Sequence, residues 1–199
     1  MVCNGVGDDL YNWANAHYAR RSSGPKVMME LIRLFSQIAL LRRGPQDVPA
    51  SAVLLTVTVA VYFVINVAVT AVLPPDDGPV VARSLLDVAF MLVWYFLLLK
   101  VVGKSERILQ TTTAVFGFQA VLSPVLVASG WLIRRFQQDA VWQVPASLIG
   151  LALLIWYIAA NGHVVKAALE WSSTASVALV ILQLFTGELL VLALFPSGT

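Results

Sequence analysis

Four charged side chains stand where charge is expensive. Arg83, Asp87, Arg134 and Glu188 fall within, or at the ends of, long apolar runs. An ionised group at membrane depth is costly enough that it normally serves a purpose or holds a partner. Arg83 and Asp87 are one helical turn apart, Arg134 closes the third run, and Glu188 lies in the last. If successive helices alternate in direction, all four reach comparable depth on one side of the membrane. Carboxylates so placed can relay protons or ions, or line a polar binding site. The other use is structural: ion pairs that fix helix packing, with arginines reaching toward the headgroups. The residues favour the structural use, because a transport path needs more polar lining than these runs supply.

Other chemistry has little to work with. The chain lacks a phosphate-cradling glycine loop, a zinc-ligand spacing and a GxSxG elbow. His17 and His163 lie far apart without carboxylate-rich surroundings, and the single Cys3 has no second thiol or companion metal ligands. These residues point to a non-enzymatic protein without cofactor or metal. Asn66, Gln119 and Gln183 sit near the middles of their runs. They are expected to hydrogen-bond between helices, for about 1 kcal/mol or less each. Asn161 and His163 close the fourth run beside Lys166 and Glu170. A histidine there can titrate near neutral pH, but simple solvation is favoured. Trp94, Tyr95, Trp131, Trp142, Trp156, Tyr157 and Trp171 fall toward run ends or lipid-facing positions and read as interfacial anchors.

The elements that must position these residues follow from composition. Hydrophobic residues make up 59% of the 199-residue chain and charged residues 12%. Soluble domains carry roughly 25% charged residues, so this chain could not clothe a core in polar surface. Its mean hydropathy is +0.81. The net charge of +2 gives no reason to expect a nucleic-acid partner. Five apolar runs span 51–73, 80–102, 111–133, 144–165 and 174–195. Each approaches or exceeds the roughly 20 residues a helix needs to cross a bilayer. Lipid cannot satisfy exposed backbone groups and the runs lack barrel alternation, which leaves helix. The fold expected is an all-α polytopic membrane protein with five transmembrane helices over 51–195. Pro124 should bend the third, and the proline-rich stretch 73–79 breaks the chain between the first two.

Residues 1–25 read as a flexible cytoplasmic segment, and 26–43 as an amphipathic helix ended by Gly44-Pro45. Its wide apolar arc favours a place in the membrane interface over docking on the bundle. No signal-peptide core precedes it, and Glu30 and Arg33 interrupt the apolar stretch that a twin-arginine signal at Arg20-Arg21 would need. Met28 or Met29 is an alternative start. Arg20, Arg21, Lys26, Arg33, Arg42, Arg43, Lys100, Lys104, Arg107 and Lys166 place the N-terminus in the cytoplasm, against which Arg134 and Arg135 alone count. Ala60, Ala68, Gly117, Ala120, Ala128, Gly130, Gly150 and Ala152 are small enough to admit a neighbouring helix, from this bundle or another protein.

The layout resembles the Yip1-domain membrane proteins: a cytoplasmic segment, five closely spaced spans and almost no tail. Residues 103–124, GKSERILQTTTAVFGFQAVLSP, are similar to the small bacterial members, with a short basic loop, a Q-T pattern and a helix proline. Residues 154–179, LIWYIAANGHVVKAALEWSSTASVAL, are similar to their fourth-to-fifth helix junction. The resemblance covers 45 to the end. Of the DLYGP-like element of eukaryotic members only Gly44-Pro45 remain, followed by Gln46-Asp47, so small-GTPase binding does not carry over. What the resemblance implies is a membrane-organising, assembly or accessory role in a bacterial inner membrane, with lipid and other membrane proteins, or copies of itself, as partners. A small transporter or channel built on Asp87 and Glu188 is the alternative.

Overall fold

The computed structural model describes residues 25–72, 79–139 and 141–195. Cys3, His17, most of the expected N-terminal segment and positions 73–78 of the proline-rich breaker lie outside them. Within the described residues six α-helices follow in order: α1 (Pro25–Ala39), α2 (Ala52–Val72), α3 (Val80–Val101), α4 (Ile108–Arg135), α5 (Gln143–Leu169) and α6 (Ser173–Leu194). Short 3-10 turns at Pro45–Asp47 and Ser105–Arg107 lead into α2 and α4. Helices α2 to α6 are each long and apolar enough to cross a membrane. Large apolar side chains stay exposed along them, such as Val53, Val57, Val61 and Val64 on α2. Compact soluble proteins rarely expose so much apolar surface. The chain is an all-helical integral membrane protein.

Local chemistry sets the helix ends. Gly103 adopts φ +76°, and the amides of Gly103 and Lys104 reach back to the carbonyls of Lys100 and Leu99, closing α3 in a Schellman motif. α1 ends in the same way earlier than the sequence suggested. There Leu41 takes the left-handed conformation at φ 60°, and Arg42 N–H bonds Gln37 C=O. The stop therefore falls at Ala39, five residues before Gly44-Pro45. Glycine at this position is readable in a sequence; a leucine in the left-handed region is not. Asp139 caps the entry to α5 through the amides of Val141 and Trp142, and Ser172 caps α6 through Ala175 N–H.

Helix α4 is the hub. It packs against α1, α2, α3 and α5, and every residue from 111 to 120 is buried. Its helix runs unbroken through Pro124 and is longer at both ends than the apolar run alone. Gly117 makes room for α1: a Cβ there would overlap the ring of Phe35. Tyr62 of α2 meets Phe116 edge-on at 5.2 Å between ring centroids. The C-terminal half of α1 is thus docked on the bundle, with Phe35, Ile38 and Ala39 buried, while Val27, Met28, Met29 and Ile32 remain exposed. Trp156 of α5 completes the attachment by donating its Nε1–H to Ala39 C=O at 2.7 Å. The expected amphipathic helix therefore divides its length between bundle docking and an outward apolar face.

Candidate functional site

Asp87 sits on the second turn of α3, and its Oδ2 accepts the hydroxyl proton of Tyr62 from α2 at 2.6 Å. Beside it a cavity of about 160 Å³ opens between α3 and α6, with Asp87, Phe90, Tyr157, Gln183, Gly187 and Glu188 among its walls. That volume corresponds to about five waters at liquid density. Glu188 and Asp87, far apart in sequence, line the same space. Arg83 is half-buried with an unpartnered Nε, and its guanidinium lies 5.8 Å from the centroid of the Phe195 ring. Arg134 is elsewhere: it is exposed beside Arg135, on a cleft formed with residues 136–139 and Val141. Among the described residues none of these four charges makes an ion pair within 4.0 Å. The structure thus brings the two carboxylates together and leaves the two arginines apart from them.

A second polar group lies in the bundle centre. Tyr95, fully buried on α3, presents its hydroxyl to Gln183 Oε1 at 2.9 Å and Asn161 Oδ1 at 3.2 Å. Its single proton is shared between the two acceptors, with Gln183 the nearer. Gln119 donates to the Tyr157 hydroxyl at 2.9 Å, and Ser123 donates to Asn66 Oδ1 at 3.2 Å. Asn66 in turn donates to Tyr62 C=O. The three central amides therefore bridge helices, α4 to α5 through Gln119, α2 to α4 through Asn66, and α3 to α6 through Gln183, as their positions suggested. Nδ2 of Asn161 and the hydroxyls of Thr111, Thr112 and Thr113 are buried without partners among the described residues.

The tyrosines are where sequence and structure part. Tyr95 and Tyr157 read as interfacial anchors, yet they are core hydrogen-bonding groups, and Trp156 holds α1. Tyr62 drew no notice in the sequence although it is Asp87's partner. A signal was present in its register: position 62 is about 15 Å from the start of α2, too deep for its hydroxyl to reach headgroups. A phenol at that depth needs a partner inside the protein.

The opposite end of the bundle carries an exposed charge cluster. Glu170, left-handed at φ 60° after α5, accepts from Lys104 Nζ at 2.7 Å and from Arg107 Nη2 at 2.6 Å. Arg107 Nη1 also approaches the carbonyls of Ala167 and Ala168, both at 3.2 Å, complementing the C-terminal end of α5. The Lys104 hydrogen bond, and after it that of Arg107, holds the Glu170 carboxyl below the usual carboxylate range. His163 is half-buried one turn before Lys166. Among the described residues no three of His, Cys, Asp and Glu gather closely enough to share a metal ion.

A scan of family models and searches of curated proteins and of solved structures gave no match to this chain.

Proposed function

We propose that this chain is a non-enzymatic membrane-organising protein, an assembly or accessory subunit that acts through helix–helix and lipid contacts. The observation that carries the reading is the use of its intramembrane polar groups: Tyr62–Asp87, Tyr95–Gln183, Gln119–Tyr157 and Asn66–Ser123 each join one of its own helices to another. Such bonds hold a bundle together rather than line a path. Small residues also remain on the outside. Ala60, Ala68, Ala128 and Ala152 are not buried and Gly130 has open space at its Cβ position, whereas Gly117 and Ala120 pack inside. The resemblance to Yip1-domain proteins read from residues 103–124 and 154–179 of the sequence alone points to the same role. The membrane is a bacterial inner membrane in this reading. The cytoplasmic end carries Lys104, Arg107 and Lys166, leaving Arg134 and Arg135 at the outer face.

The test is isolation in mild detergent with mass spectrometry of what travels with the chain. A stoichiometric membrane-protein partner, or a defined homo-oligomer, is the expected result. A second reading, a small transporter, is favoured by one observation, the cavity that Asp87 and Glu188 share. A lone protein that moves ions in liposomes, and stops after Asp87→Asn, would replace the first reading with the second.

A further inference from the structure

We propose that the seam between α3 and α6 is a docking groove for one transmembrane helix of a partner protein, whose lysine or arginine enters the cavity between Asp87 and Glu188. The inference rests on the accessory-subunit reading and names the chemistry of the partner. Charge is the first argument. Two carboxylates line one small cavity, and among the described residues neither has a cationic partner. Asp87 has the neutral Tyr62 hydroxyl, and the Glu188 side chain bonds to no described residue. The nearest arginine in sequence, Arg83, lies against Phe195 instead.

The cavity carries a buried amide as well as the two carboxylates. Gln183 lines it at 4% exposure; its Oε1 is taken by Tyr95, and its Nε2 donates to no described residue. A volume of about 160 Å³ admits the end of one long side chain. The exposed surface of α6 beside the cavity points to a helix as the carrier of that side chain. Glu188 is exposed on the membrane-facing side of α6, and Phe185, Leu189 and Leu192 are exposed with it at helical spacing. On α3, Leu86, Phe90 and Met91 line the cavity beside Asp87. Gly187 lets Phe90 approach to 3.2 Å of its Cβ position, so the two helices touch behind the groove. A carboxylate surrounded by an apolar row faces lipid unfavourably and faces an apolar helix bearing one cation favourably.

The experiment uses the full chain in liposomes, labelled with a fluorescence donor. Acceptor-labelled peptides of about 20 leucines and alanines carry a single Lys, Leu or Glu at the depth of Glu188. Energy transfer to the Lys peptide should exceed that to the Leu peptide severalfold, with the Glu peptide lowest. Glu188→Gln, at an exposed position that does not endanger folding, should remove most of the difference, and Asp87→Asn should reduce it further. Equal transfer to the Lys and Leu peptides, or a Lys preference untouched by Glu188→Gln, would overturn the proposal. So would octadecylamine abolishing the Lys-peptide signal at equal mole fraction, which would assign the site to a free amine. Failure here leaves the co-purification test of the accessory role standing, because that test does not depend on which face binds.

Discussion

The α4 hub and the α3–α6 seam are built from the same apolar alphabet and held together differently. Around α4, ten consecutive residues are buried, Gly117 receives the Phe35 ring and Phe116 meets Tyr62 edge-on. Shape does the holding there. At the seam, α3 and α6 meet through Phe90 at Gly187 and the Tyr95–Gln183 hydrogen bond, and a cavity lined by two carboxylates remains beside them. In lipid there is no hydrophobic force to draw helices together, so close packing and hydrogen bonds must do it. Where neither is complete, a surface is left that another helix can complete.

The largest effect is expected at the hub. Gly117→Leu drives a side chain into Phe35 and should cost about 1–3 kcal/mol or more, by analogy with overpacked cores. Thermal unfolding in detergent should show the loss, and adding Phe35→Ala should recover part of it. If the double variant is as unstable as the sum of the two singles, α1 is not seated on Gly117. Next, Tyr95→Phe leaves Asn161 Oδ1 and Gln183 Oε1 without their donor. The expected loss is about 1 kcal/mol, in the range of hydrogen bonds between membrane helices. An unchanged midpoint would mean the hydroxyl is not holding α3 to α5 and α6.

Smaller effects trace the boundary between the regions. Trp156→Phe removes the bond to Ala39 C=O and should cost about 0.5–1 kcal/mol. Its clearer signature is local: amide exchange in residues 25–39 should quicken while that in 111–120 stays protected. The smallest effect is at Glu170. Its folded-state carboxyl titrates below the ordinary range, so its contribution to stability is present above the unfolded value and fades as pH falls through the lowered one. Stability of wild type should therefore drop slightly on acidification where Glu170→Gln does not. The cluster is exposed, so salt should shrink the difference.

The spans and central amides were legible because their physics is local or statistical. A run of about 20 apolar residues has one structural solution in lipid, and an amide in mid-span must find a partner. The α3–α6 cavity was half legible: the depths of Asp87 and Glu188 matched, but depth says nothing of azimuth. Arg134 shared that depth and lines a different, exposed cleft with residues 135–139. The docking of Phe35 on Gly117 and the turn of Trp156 toward Ala39 depend on how α1 meets α4 and α5. Those are tertiary facts, and no spacing within α1 encodes them.

Packing and hydrogen bonds hold this bundle, the Tyr62–Asp87 bond among them, and the negative charges of the two carboxylates do not, a division that one measurement addresses. The double variant Asp87→Asn with Glu188→Gln, unfolded thermally in lipid nanodiscs beside wild type, removes both charges. The amide introduced at position 87 still offers an acceptor to the Tyr62 hydroxyl. The midpoint should equal or exceed that of wild type, because no ion pair is lost and two costly charges are removed. A fall as large as that of Gly117→Leu would show that the charges themselves are structural, and the seam would lose its claim to be a site.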